Sequence, residues 1–233
     1  MAIKEIRLPD GRNVVIDEWL HWPLYSTVEF AKDAGVQLRA FSYVRGQRVP
    51  SNGLATRLAT QSDTNMSQRQ MMSYDESFVM YAITYEAFAI SVTDPVTQEC
   101  GEDTITVASN PALQGANLRR LQRDLEIELI LGAGQTKPQL RYTFSYLPQS
   151  VGAEAYSNDA PSATNTVSYG TAGGIKPANQ RRLELPINIE SERQMYLKVF
   201  TPFGKVGGTS PDLTQDIRLR FWLDGMKRRP VIT

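Results

Sequence analysis

Residues 77 to 92 constrain the fold more than any other stretch. They hold Phe78, Val79, Tyr81, Ile83, Thr84, Tyr85, Phe88, Ile90 and Val92. β-Branched and aromatic side chains suit a pleated surface and crowd a helix, so the run reads as a strand. Apolar residues fall at both parities, so both of its faces are expected to be covered. Sixteen residues exceed an ordinary strand, and a bulge or break is expected near Glu86-Ala87. Such a strand cannot stand alone. It needs neighbours on both edges and a second layer against its face.

The rest of the chain offers them. Between 36 and 44, Val36, Leu38, Ala40 and Val44 alternate with Gln37, Arg39, Phe41 and Tyr43. From 139 to 147, Leu140, Tyr142, Phe144 and Tyr146 alternate with Arg141, Thr143 and Ser145. Near 216–223, Ile217, Leu219, Phe221 and Leu223 oppose Arg218, Arg220 and Trp222. Period-two patterns of this kind put one face on a core and one in water. Further strands are expected at Val14-Val15-Ile16 and near 104–108, 124–131, 182–189 and 195–200.

Two short helices are expected. Ser26-Thr27-Val28-Glu29 has capping-box spacing and Gly35 stands at a stop position, which predicts a helix over about 27–34. Asn110-Pro111 offers a cap and a first-turn proline, which predicts a second over 111 to about 120. Long polar excursions separate these elements, at 46–74 and 148–180. The second is rich in Ser, Ala, Asn, Gly and Thr and cannot bury enough apolar surface to order itself alone. The fold class is therefore all-β: a β-sandwich or jelly roll of about eight strands, with one or two short helices and long loops. The expected organisation is an N-terminal arm over 1–35 carrying the first helix, then a single jelly-roll-like domain over 36–233.

The chemistry on offer is sparse. The chain has 233 residues, one histidine and one cysteine. Imidazole and thiolate carry much of neutral-pH catalysis and transition-metal binding, so an enzyme is not the expected class and neither cofactor nor metal is called for. A single cysteine excludes an internal disulfide framework. Lysine plus arginine equals aspartate plus glutamate at 25 each, which argues against nucleic-acid binding by bulk charge. The run Lys227-Arg228-Arg229 leaves a weak nucleic-acid contact conceivable. The first residues lack the apolar core of a signal peptide, and no apolar run is long enough for a membrane helix. A cytoplasmic origin is the expectation.

Local candidates each have a plainer reading. Asp94, Glu99, Glu102 and Asp103 crowd one loop, as calcium ligands do, but without EF-hand spacing. Cys100 sits among them, where acidic neighbours oppose a thiolate. Glu126 and Glu128 share a strand face, as paired carboxylates of a glycosidase would, with Arg119, Arg120 and Arg123 just before them to pair with them or with a neighbouring subunit. Gly132-Ala133-Gly134 and Gly204 to Gly208 lack the strand–helix context of a phosphate cradle and read as turns. Two features read instead as contact surface. Trp19, Leu20, Trp22, Pro23, Leu24 and Tyr25 form a dense aromatic patch, with His21 inside it. Gln61 to Met72 is rich in amides, with Met66, Arg69, Met71 and Met72, and reads as an arm that settles against another copy. The residues singled out for subunit contacts are Trp19, His21, Trp22, Tyr25, Met66, Arg69, Met71 and Met72.

An all-β chain of zero net charge with polar excursions of this length resembles the single jelly-roll capsid proteins of tailless icosahedral phages. The resemblance spans the chain as a pattern of strands and loops. It implies a virion structural protein, made in the host cytoplasm, whose partners are copies of itself and other virion proteins. A different class stays open beside it: a tail or receptor-binding β-sandwich that recognises carbohydrate, with Tyr142, Tyr146, Tyr156 and Tyr169 as an aromatic platform.

Overall fold

A computed structural model describes residues 5–7, 13–15, 19–74, 76–90, 120–132, 134, 137–147, 182–206, 213 and 216–228. The acidic loop with Cys100, the strand expected near 104–108, nearly all of the 111–120 helix and the 148–180 loop lie outside these residues. The described part is built from strands: β1 (Glu5–Arg7), β2 (Asn13–Val15), β3 (Trp19–His21), β4 (Leu24–Phe30), β5 (Gly35–Ala40), β6 (Ser51–Asn52), β7 (Ser77–Ile90), β8 (Glu126–Leu131), β9 (Leu140–Thr143), β10 (Arg182–Ile189), β11 (Met195–Lys205) and β12 (Asp216–Arg228). A helical turn over 120–124 leads into β8.

β1 and β2 pair with each other. The remaining strands form two sheets. One runs β10-β7-β12-β4-β6, with β3 also on β12; the other runs β5-β11-β8-β9. Eight strands carry the sandwich, and their pairing is nested. β4 pairs β12, β5 pairs β11, β7 pairs β10 and β8 pairs β9, all antiparallel. The first strand thus meets the eighth, the second the seventh, the third the sixth and the fourth the fifth. One long antiparallel hairpin folded across itself gives this order.

A single hydrophobic core joins the two sheets. Leu24, Val28 and Phe30 of β4, Tyr85 of β7 and Leu219, Phe221 and Leu223 of β12 meet Leu38 of β5, Ile127 and Leu129 of β8 and Leu197 and Val199 of β11. At its centre Phe144 lies 4.1 Å from the Tyr85 ring and 5.9 Å, edge-on, from Phe221. Each such fully buried ring contributes about 1.5–3 kcal/mol of transfer free energy.

Several expectations are corrected. Residues 27–34 are not a helix: Leu24–Phe30 is strand, laddered over seven residues with β12. Leu24, Ser26, Val28 and Phe30 point inward at period two, and that tertiary pairing overrides the local capping signal. The Glu29 carboxylate bonds arginines instead of closing a capping box. The irregularity in β7 falls at Tyr81, not near Glu86-Ala87. Asp224 faces Ala82 while Gly225 faces Met80, so Tyr81 is the extra residue. A Cβ on Gly225 would lie 2.2 Å from the Val79 carbonyl oxygen, and only glycine allows that approach. The strand over 139–147 stops at Thr143 and gives way to a 3-10 turn, Phe144–Tyr146. The Phe144 amide donates to the Leu125 carbonyl (2.9 Å), which swings its ring into the core. Phe41, expected on the outer face of its strand, has a positive φ of 61° and is buried.

Candidate interaction surface

The outer face of the six-stranded sheet has two halves of different character. One is latched under the chain's own 46–74 loop. Thr27 and Glu29 point outward from β4, yet both are buried. Arg57 reaches in from the loop, and its guanidinium bridges two carboxylates. Its Nη2 lies 2.6 Å from Glu29 Oε1 and 2.6 Å from Asp63 Oδ1, and its Nη1 donates to Asp63 Oδ2 at 2.8 Å. Arg218 of β12 adds a second donor to Glu29 at 2.7 Å. The Thr60 amide and hydroxyl complete the Asp63 shell at 2.8 and 2.9 Å.

This cluster of two cations and two anions is neutral and hydrogen-bonded, as buried charge must be. Burial alone would raise the Asp63 carboxyl, but the bonds from Arg57 and Thr60 outweigh it and hold the group below its ordinary 3.8. Burial likewise works against the Arg57 charge, yet Asp63 and Glu29 raise the guanidinium above its usual range. Beside the cluster, the Tyr43 hydroxyl donates to the Thr27 carbonyl (2.7 Å) and accepts from the Thr27 amide (3.0 Å). Burial pushes that phenol up to about 12.

The other half faces outward around β3 and the C-terminal part of β12. His21 Nε2 meets Asp224 Oδ1 at 2.7 Å. Tyr25 and Trp222 rings lie 4.9 Å apart, with the Arg220 guanidinium 6.0 Å from the Trp222 ring. Leu20 and Trp22 are each 39% exposed. The sequence groups Trp19, Trp22 and Tyr25, and the fold adds Trp222, which is paired directly with Tyr25 across β4 and β12.

The residues singled out for subunit contacts therefore divide. His21, Trp22 and Arg69 are exposed; Trp19, Tyr25 and Met71 are half-buried. Met66 and Met72 are taken up by this chain's own core. The Gln61 to Met72 segment is not an arm reaching outward from this chain. The Tyr25 hydroxyl donates to the Gln61 carbonyl (2.5 Å), the Tyr25 amide donates to Asn65 Oδ1 (2.9 Å), and the Met195 amide donates to the Gln70 carbonyl (2.6 Å). The Asn65 amide is spent on backbone partners, the Gln70 amide on Gln194, and Met66 and Met72 on the core, so the segment is fixed to its own sheets. The cluster of Glu29, Arg57, Asp63 and Arg218 was missed from sequence. Only its Glu29–Arg218 side carried a signal, as opposite charges on two alternating strands.

The outer face of the four-stranded sheet carries a ladder of charges. Arg141 donates to Glu126 at 2.6 and 2.9 Å, and Lys198 Nζ donates to Glu128 at 3.3 Å. Glu126 and Glu128 do share a face, but cations from neighbouring strands engage both. Arg123 pairs with the adjacent Asp124 instead. The Tyr142 and Tyr146 rings lie 4.7 Å apart at a tilt of 35°, with Tyr146 exposed; Tyr156 and Tyr169 lie outside the described residues.

Among the described residues, no group of three or more His, Cys, Asp or Glu side chains could hold a metal ion. No helix among them is long and apolar enough to cross a membrane. No protein-family model matches the chain, nor does any curated protein or solved structure.

Proposed function

We propose that this chain is a virion structural protein, a capsid subunit that assembles with its own copies into a shell. The observation that carries the reading is the nested order of the eight strands, first with eighth through fourth with fifth. That is the strand order of a jelly roll, an architecture shared by viral shell, lectin and cupin domains. Within that set, the exposed patch of Leu20, His21 and Trp22 favours a protein that works by contact. Large aromatics beside charged groups are the usual anchors of such contacts. A rigid subunit also suits assembly, and the 46–74 loop is pinned to its own sheets by buried charge.

Light scattering of the purified full chain across protein and salt concentration tests the reading. Growth into large particles of uniform size is expected, with electron micrographs showing closed shells. A strictly monomeric chain at high concentration in all conditions overturns it.

A second reading has its own observation. The Tyr142 and Tyr146 rings pack together at a tilt at the edge of the four-stranded sheet, and Tyr146 is 44% exposed. Aromatic faces of this kind pack against sugar rings. Binding of the isolated chain to a glycan array, lost in Tyr146→Ala, would make the protein a carbohydrate-recognising module of a tail or receptor-binding assembly.

A further inference from the structure

We infer that the free edge of β10 is a two-fold contact, pairing antiparallel with β10 of a second copy about Leu183. The inference rests on the self-assembly reading and names one of its contacts. Among the described residues, β10 is the outermost strand of the six-stranded sheet and pairs with β7 alone. Even that ladder is broken between Arg182 and Ile187. An edge with unpaired backbone groups is a template for another strand. Leu185, in the middle of the break, is 83% exposed, more than any other exposed large hydrophobic residue of the described chain. Arg182 and Glu184 flank Leu183 on one strand face, and both are exposed. Neither engages an ion-pair partner among the described residues.

The charges select the register. An axis through Leu183 sets Arg182 of each copy opposite Glu184 of the other, twice by symmetry. It also sets Leu183 on Leu183, with Leu185 of each copy on the diagonal beside it. An axis through Glu184 would bring two carboxylates face to face. An axis through Leu185 would leave Glu184 against Pro186. Pro186 has no N–H to donate, so the ladder ends there, which keeps the contact short and closed. The same two-fold would join two six-stranded sheets edge to edge.

Sedimentation of the full chain over a concentration series tests the contact by charge exchange. Glu184→Arg alone and Arg182→Glu alone each set like charges opposite one another and are expected to weaken association about tenfold. The double variant restores the opposite pairs in exchanged order and is expected to return to wild-type association. Both positions are exposed, and unchanged circular dichroism verifies that each variant folds. Association unaffected by either single change overturns the β10 contact and leaves self-assembly standing. Single changes that weaken association without rescue in the double variant also overturn it. Association lost instead in Trp22→Ala assigns the contact to the aromatic patch and overturns it too. A monomeric wild-type chain overturns the self-assembly reading along with it.

Discussion

Arg57 is the residue on which the outer sheet face depends. It stands between Glu29 and Asp63, whose side chains are nearly sealed from water, and among the described residues no second cation pairs with Asp63. Removing a partner from a buried ion pair leaves an uncompensated charge and typically costs about 3–5 kcal/mol. Arg57→Ala is therefore expected to destabilise the chain on that scale in urea denaturation. Arg57→Lys should recover only part, because an ammonium cannot bridge two carboxylates with a planar fork. The same geometry sets an acid dependence. The Asp63 carboxyl is held below 3.8 in the folded chain. A carboxyl lowered on folding contributes stability that is present above its unfolded value and lost as pH falls through the folded value. Stability should thus fall as pH drops below 3.8, and Asp63→Asn should be less stable at neutral pH but show a shallower acid slope. Denaturation midpoints measured across that range for both chains check it; parallel slopes would count against the latch.

At the scale of elements, the bulge opposite Gly225 decides how the central strands twist past one another. β12 runs thirteen residues against β7, and the register slips by one at Tyr81. The slip needs a close backbone approach at Gly225, whose added Cβ would also lie 2.6 Å from the Phe78 ring. Gly225→Ala is expected to cost at least about 1–3 kcal/mol, as overpacking typically does, read as a lowered melting midpoint. Gly46, where an added Cβ meets nothing within 4 Å, is the control for space. Its positive φ leaves only backbone strain to act there. Strands such as β5 and β12 were legible in the sequence because their inner and outer residues alternate cleanly. β4 was misread because Ser26 and Glu29 sit at helix-cap spacing, while its real partner lies almost two hundred residues away. The bulge was misplaced for the same reason: its cause is a glycine on another strand. The methionines of the 46–74 loop were legible as contact residues, but sequence does not say whether the surface they contact belongs to the same chain.

For the whole molecule, nesting makes the fold depend on its most distant pieces. β4 and β12 are the first and last of the eight sandwich strands, and β12 lies between β4 and β7. Without β12, the inner edges of both neighbours are bare, and Ile217, Leu219, Phe221 and Leu223 are missing from the core. Each of those four side chains, fully buried, represents about 1.5–3 kcal/mol of transfer free energy, a sum comparable with the net stability of a typical domain. A chain ending before Asp216 is therefore expected to lack cooperative unfolding and to aggregate. Pairings this far apart in sequence also impose loop-closure entropy before any contact rewards it. Refolding of the full chain is expected on the slow side, in milliseconds to seconds, as for other β-sandwiches. Stopped-flow fluorescence of the tryptophans would follow it, because Trp222 sits on the last strand and its ring packs, tilted, against Tyr25 of the first. If Trp222 reaches its native signal in microseconds, the two ends of the chain meet before the strands between them are in place, and closure of the sandwich by its last strand is wrong. If it arrives with the slow phase, the chain completes its exposed aromatic surface only when its core is closed, so that the proposed assembly follows folding.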